Sequence, residues 1–155
     1  MTIYLVQFAA LFLLALVTGV FWGPWLSLHR SNRVFSPSEF IHIVQTMVGN
    51  LATPMRILMP FCILFLILST WLYPLKPSVG FCFSTVALLL SLTALLITIL
   101  VEVPIVKQIN QWTTSNFPAD WQAVRDRWNF FHVLRTFCSV GSFACFAISL
   151  MLLIK

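Results

Sequence analysis

Hydrophobic and polar positions fall in long blocks along this chain. No Asp, Glu, Lys or Arg precedes Arg30, and further charge-free stretches run from Ile57 to Leu75, Ser78 to Val101 and Thr136 to Ile154. About 20 apolar residues cross the hydrocarbon core of a bilayer as a helix. The pattern therefore predicts four transmembrane spans, at about 3–25, 57–75, 78–103 and 130–154. A membrane barrel is excluded, because it needs repeated short segments of alternating hydrophobicity. The first run reads as a retained span. A secretory signal would carry a basic start and a shorter apolar core, and Met1-Thr2-Ile3-Tyr4 has no basic residue.

The connections carry structure of their own. Ser36-Pro37-Ser38-Glu39 is a capping box with proline at the first helical position. Phe40, Ile41, Val44, Met47, Val48 and Leu51 then recur at helical spacing, with His42, Gln45 and Gly49 on the other side. This predicts an additional amphipathic helix, at the interface or running into span two with a bend near Pro54 or Pro60. Tyr73 to Pro77 forms a turn between spans two and three. Span three continues past Glu102 to Trp112, and Ser115-Asn116-Phe117-Pro118 breaks it. A long last helix begins near Ala119. The fold class is all-α, an integral membrane four-helix bundle in one domain over residues 1–155.

Composition agrees. Of 155 residues, 60% are hydrophobic and 8% charged, with a mean hydropathy of +0.97. Soluble domains carry about 25% charged residues, and one this small could not hide so much apolar surface. Nine Lys and Arg, scattered along the chain, are too few for a nucleic-acid stripe. Cys62, Cys82, Cys138 and Cys145 stand singly, without the Cys-x-x-Cys of a thiol oxidoreductase. Arg30, Arg33, Arg56, Lys107, Arg125, Arg127 and Arg135 flank connections one and three, against Lys76 and Lys155 opposite. The positive-inside rule then places those connections in the cytoplasm and both termini outside, as in a bacterial plasma membrane.

Candidate chemistry gathers near the third connection. Trp121, Arg125, Trp128, His132, Arg135 and Ser139 recur every three or four residues and share one helical stripe. Facing lipid, that stripe would be unfavourable, so it should face the bundle interior or a water-filled vestibule. An interfacial belt of Trp and snorkelling Arg accounts for Trp121 and Arg125, less well for His132 and Arg135. Glu102 is the lone acid in or next to a span and needs a partner. It lies about 22 Å back from the hairpin turn, and His132 about 23 Å along the other helix. Glu102, His132 and Arg135 should therefore meet at one depth. A structural Glu–Arg lock competes with a catalytic role. His29, His42 and His132 with Glu102 raise a metal-binding alternative, although no two of them sit at ligand spacing in the sequence. Gly19-x-x-x-Gly23 predicts close helix approach, within the bundle or between copies in a homo-oligomer.

Glu102-Val103-Pro104, then Ile109, Trp112, Trp121, Arg125, Trp128, His132 and Arg135, resembles the tail of a family of small four-span membrane proteins. That family includes the anthrone oxygenases of polyketide pathways. Gly-Val-Phe-Trp-Gly in span one is similar to its opening segment. Many members have Asn soon after Val-Pro, whereas Ile105, Val106 and Lys107 follow here. The resemblance implies oxygen-dependent conversion of an activated aromatic carbon to a carbonyl without an organic cofactor. On that reading His132 takes a proton, Arg135 stabilises the enolate and Glu102 sets the histidine tautomer. Trp112, Trp121 and Trp128 stack a flat hydrophobic substrate, with Arg125, His29 and His42 beside it. The alternative class is a non-enzymatic bundle that binds a lipid or quinone or serves as an accessory subunit.

Overall fold

The computed structural model of the chain describes residues 2–28 and 31–153. Its α-helices are α1 (Thr2–Ser27), α2 (Pro37–Trp71), α3 (Val79–Ile97), α4 (Val103–Ile109) and α5 (Trp121–Leu153). A five-residue π-turn, Thr98–Glu102, joins α3 to α4 without interrupting the rod. Four rods are thus long and apolar enough to cross a membrane, with α3 and α4 counted as one from Val79 to Ile109. They form an all-α transmembrane bundle.

The amphipathic segment and span two are a single helix. Ser36 caps it: its hydroxyl accepts from the Glu39 N–H at 3.5 Å, and Glu39 Oε2 accepts from the Ser36 N–H at 2.8 Å. Pro54 and Pro60 lie inside α2, which continues through both. At 35 residues it is about 52 Å long. It ends at Trp71, so Leu75 belongs to the turn and not to the span.

The most extensive helix contact joins α3 to α5. Gly80, Ser84, Ala87, Ser91 and Ala94 are buried on α3, all small and spaced four, three, four, three. Small residues let membrane helices approach closely and bring hydroxyls within bonding range. Ser142 Oγ donates to the Ala87 carbonyl at 2.7 Å and pairs with Ser91 Oγ at 2.7 Å, and Ser149 Oγ donates to the Gly80 carbonyl at 2.7 Å. Large apolar side chains such as Phe8, Phe12, Leu64, Leu89, Leu96 and Phe137 point outward, as lipid contact requires.

Gly80 is needed for close approach. Tyr73 is buried against it and donates its hydroxyl to the Ser149 carbonyl at 3.1 Å. A Cβ on residue 80 would stand 2.0 Å from Tyr73 Oη and 3.0 Å from Cζ. Gly80→Ala should therefore destabilise the bundle by about 1–3 kcal/mol, read as a lower unfolding midpoint in detergent. Gly19 and Gly23 differ: a Cβ at either position meets nothing within 4 Å. The Gly-x-x-x-Gly spacing therefore does not serve close packing inside the bundle, and Gly19→Ala should not lower the midpoint.

Candidate functional site

The first half of α5 presents Trp121, Arg125, Trp128, His132 and Thr136 on its buried face. Opposite them, the π-turn carries Glu102 into the same seam. The spacing along α3 would bring Val101 inward after Ala94 and Thr98, but a π-turn takes up one extra residue. Glu102 is consequently buried, at 3% exposure, while Val101 is only half-buried. The Val103 N–H bonds back to the Thr98 carbonyl. Pro104 follows, and it has no N–H to continue the ordinary helical pattern.

Arg135 is the hub. Its Nη2 lies 2.9 Å from Glu102 Oε2 and 3.0 Å from His132 Nδ1. Nη1 donates to Thr98 Oγ1 at 3.2 Å, and that hydroxyl donates in turn to the Ala94 carbonyl at 2.8 Å. The guanidinium carbon sits over the Phe21 ring, 4.5 Å from its centroid. Arg135 is thus held by two membrane rods and α1 at once, and it stands between Glu102 and His132. His132 is 4% exposed, and Thr136 Oγ1 donates to its carbonyl at 2.6 Å. Glu102 Oε1, Trp128 Nε1 and Arg135 Nε are buried without a formed hydrogen bond. The Trp128 indole N–H neighbours the Glu102 carboxylate without closing a bond to it.

Aromatic packing covers this hub. Trp128 stacks on His132 with centroids 5.8 Å apart and planes at 18°. Phe40, from α2, meets Trp128 edge-on at 6.0 Å and Trp121 at 5.9 Å. Trp112 is buried in the same cluster with Ile41, Val44, Ile105 and Ile109. Arg125 lies over Trp121 at 5.1 Å and pairs with the adjacent Asp126 at 2.9 Å. Gln45 Nε2 donates to the Ile109 and Trp112 carbonyls, both at 3.1 Å, so it works on the packed face of α2 and not on the polar side. An interior void of about 10 Å³ and an open groove of about 220 Å³ on α1 both lie apart from Glu102, His132 and Arg135.

The structure thus brings together Glu102, His132, Arg135 and Trp128, and places Trp112, Trp121 and Arg125 in the adjoining aromatic layer. His42 is exposed on α2 and apart from them. His29, Arg30 and Lys155 lie outside the described residues. Among the described residues, no group of three His, Cys, Asp or Glu side chains could hold a metal ion. Thr98 joins the site without having been singled out by the sequence, and Phe40 and Phe21 reach it although the sequence marks them only within an apolar helical face and the span-one run. Thr98 alone had a local signal, a hydroxyl one turn before Glu102.

Residues 46–145 match a family model described as anthrone oxygenase. The matched stretch contains the whole Glu102–Arg135–His132 hub and omits α1 with its Gly-Val-Phe-Trp-Gly run. No curated protein and no solved structure matches the chain.

Proposed function

The chain belongs to the anthrone oxygenase family, and from that premise we propose that it is a membrane oxygenase acting on a flat, hydrophobic anthrone- or hydroquinone-like molecule. At the activated ring CH₂ of an anthrone, both hydrogens leave. One oxygen atom of dioxygen becomes the carbonyl, and the other leaves as water. The electrons come from the substrate itself. The observation that carries this reading is the buried Glu102–Arg135–His132 hub inside the family-matched segment. Such chemistry needs a proton acceptor at the C–H bond, a fixed hydrogen-bond donor for the enolate oxygen and a positive charge nearby. A carboxylate, an imidazole and a guanidinium within 3.0 Å contacts supply those groups. Trp121 and Trp128 offer faces for a polycyclic ring.

The test is oxygen consumption by detergent-purified protein given anthrone. Uptake of one dioxygen per quinone formed, above the uncatalysed rate, is the expected result. The close packing of Phe40, Trp121 and Trp128 favours a second reading, a bundle in which Glu102 and Arg135 lock two rods together. No uptake across anthrones and hydroquinones would select it. We also place the site at the cytoplasmic face of a bacterial plasma membrane, because Arg33, Arg56, Lys107 and Arg127 cluster at that end. Ser38→Cys in a Cys82→Ser background should then react with an impermeant maleimide only after permeabilisation. Labelling in intact cells would reverse the orientation.

A further inference from the structure

We infer that Glu102 Oε1 takes the proton from the substrate carbon while His132 stays neutral and donates a hydrogen bond from Nε2, an assignment that rests on the oxygenase reading above. A guanidinium has N–H donors and no acceptor. Arg135 Nη2 lies 2.9 Å from Glu102 Oε2 and 3.0 Å from His132 Nδ1, and a hydrogen bond to the imidazole can run only from the guanidinium. His132 Nδ1 must therefore offer its lone pair, and the proton of the neutral ring sits on Nε2. In that tautomer neither nitrogen is a proton acceptor for substrate: one lone pair is engaged by Arg135 and the other nitrogen already carries hydrogen.

The carboxylate is in the opposite condition. Glu102 Oε2 is tied to Arg135, whereas Oε1 is buried without a formed hydrogen bond. It retains lone pairs for an incoming proton. Charge balance favours the same division. When the C–H bond breaks, its proton goes to Glu102 Oε1 and its electron pair moves onto the substrate carbonyl oxygen. That oxygen accepts from His132 Nε2–H. Negative charge leaves Glu102 as it appears on the enolate, so Arg135 faces one anion before and after the step. A buried cation is never left uncompensated.

The test is anaerobic exchange of the anthrone CH₂ hydrogens in heavy water, followed by mass spectrometry with the full-length protein in detergent. The unaltered protein should accelerate exchange over buffer. His132→Gln puts a weaker amide N–H near the Nε2 position and cannot act as a base, so it should slow exchange by about tenfold, well short of the loss expected when the base is removed. Glu102→Gln should lose about 100-fold or more. Glu102→Asp keeps the charge that Arg135 needs, and it should fold with slowed but measurable exchange. A loss of about 100-fold or more in His132→Gln, or survival in Glu102→Gln, overturns the assignment and leaves the oxygenase reading standing. Absence of both exchange and oxygen uptake in the unaltered protein overturns the two together.

Discussion

Arg135→Leu should lower the stability of the bundle by about 3 to 5 kcal/mol, the cost of leaving a buried carboxylate without its cation. Glu102 is 3% exposed, and among the described residues Arg135 is the only cation paired with it. The leucine would also leave Thr98 Oγ1 and His132 Nδ1 without their donor. Replacing both charges behaves differently, because an apolar pair of similar volume in place of a buried ion pair is often neutral or stabilising. The double variant Glu102→Leu/Arg135→Leu should therefore recover most of the loss. Unfolding of the single and double variants in detergent gives the coupling between the sites directly. If the double variant is as unstable as the sum of the two singles, the ion pair contributes nothing to the fold.

On the oxygenase reading, Arg135→Lys should keep the fold and lose about 100-fold in turnover, comparable to removing a fixed donor from an oxyanion site. Lysine preserves the positive charge beside Glu102. It does not preserve the fork, which serves Glu102 Oε2, His132 Nδ1 and Thr98 Oγ1 from one rigid plane. The imidazole then loses the donor that fixes its proton on Nε2. Nitrogen-15 spectra of the His132 ring should change from a single Nε2–H tautomer to a mixture. A variant with full activity and an unchanged ring spectrum would mean that the charge alone matters at position 135.

The four rods were legible because their apolar runs are long and carry no fixed charge. The capping box at Ser36 marked a helix start, since its signal is local: two side chains reach two backbone N–H groups within four residues. The same sequence left open whether that helix stopped near Pro54 or Pro60. Continuity depends on neighbours that compensate the missing N–H groups, and these are not local. The meeting of Glu102 with the α5 stripe followed from counting residues along a hairpin. Its atomic pattern did not. The π-turn changes the helical phase by one residue, and Pro104 was its single local hint. Phe21, Phe40 and Gln45 reach the site from other rods, so no spacing within α5 announced them. Gly19 and Gly23 mark the reverse case, a packing motif that the fold leaves facing outward.

The length of α2 bears on where this site sits in a real membrane. A helix of about 52 Å exceeds the ~30 Å hydrocarbon layer by some two-fifths of its length. Its N-terminal turns pack with α4 and the start of α5, so these segments lie at one end of the bundle. With a ~30 Å layer centred on the apolar runs, Glu102, Arg135 and His132 would fall at the base of that projection, where lipid tails give way to headgroups. On the oxygenase reading, a greasy ring would arrive there sideways from the leaflet while protons exchange with water from above. Bilayer thickness sets the depth of this boundary. Lipids with shorter tails leave the hub nearer water, and longer tails submerge it. On the oxygenase reading, reconstitution in a chain-length series of phosphatidylcholines should therefore shift anthrone-dependent oxygen uptake without altering a residue.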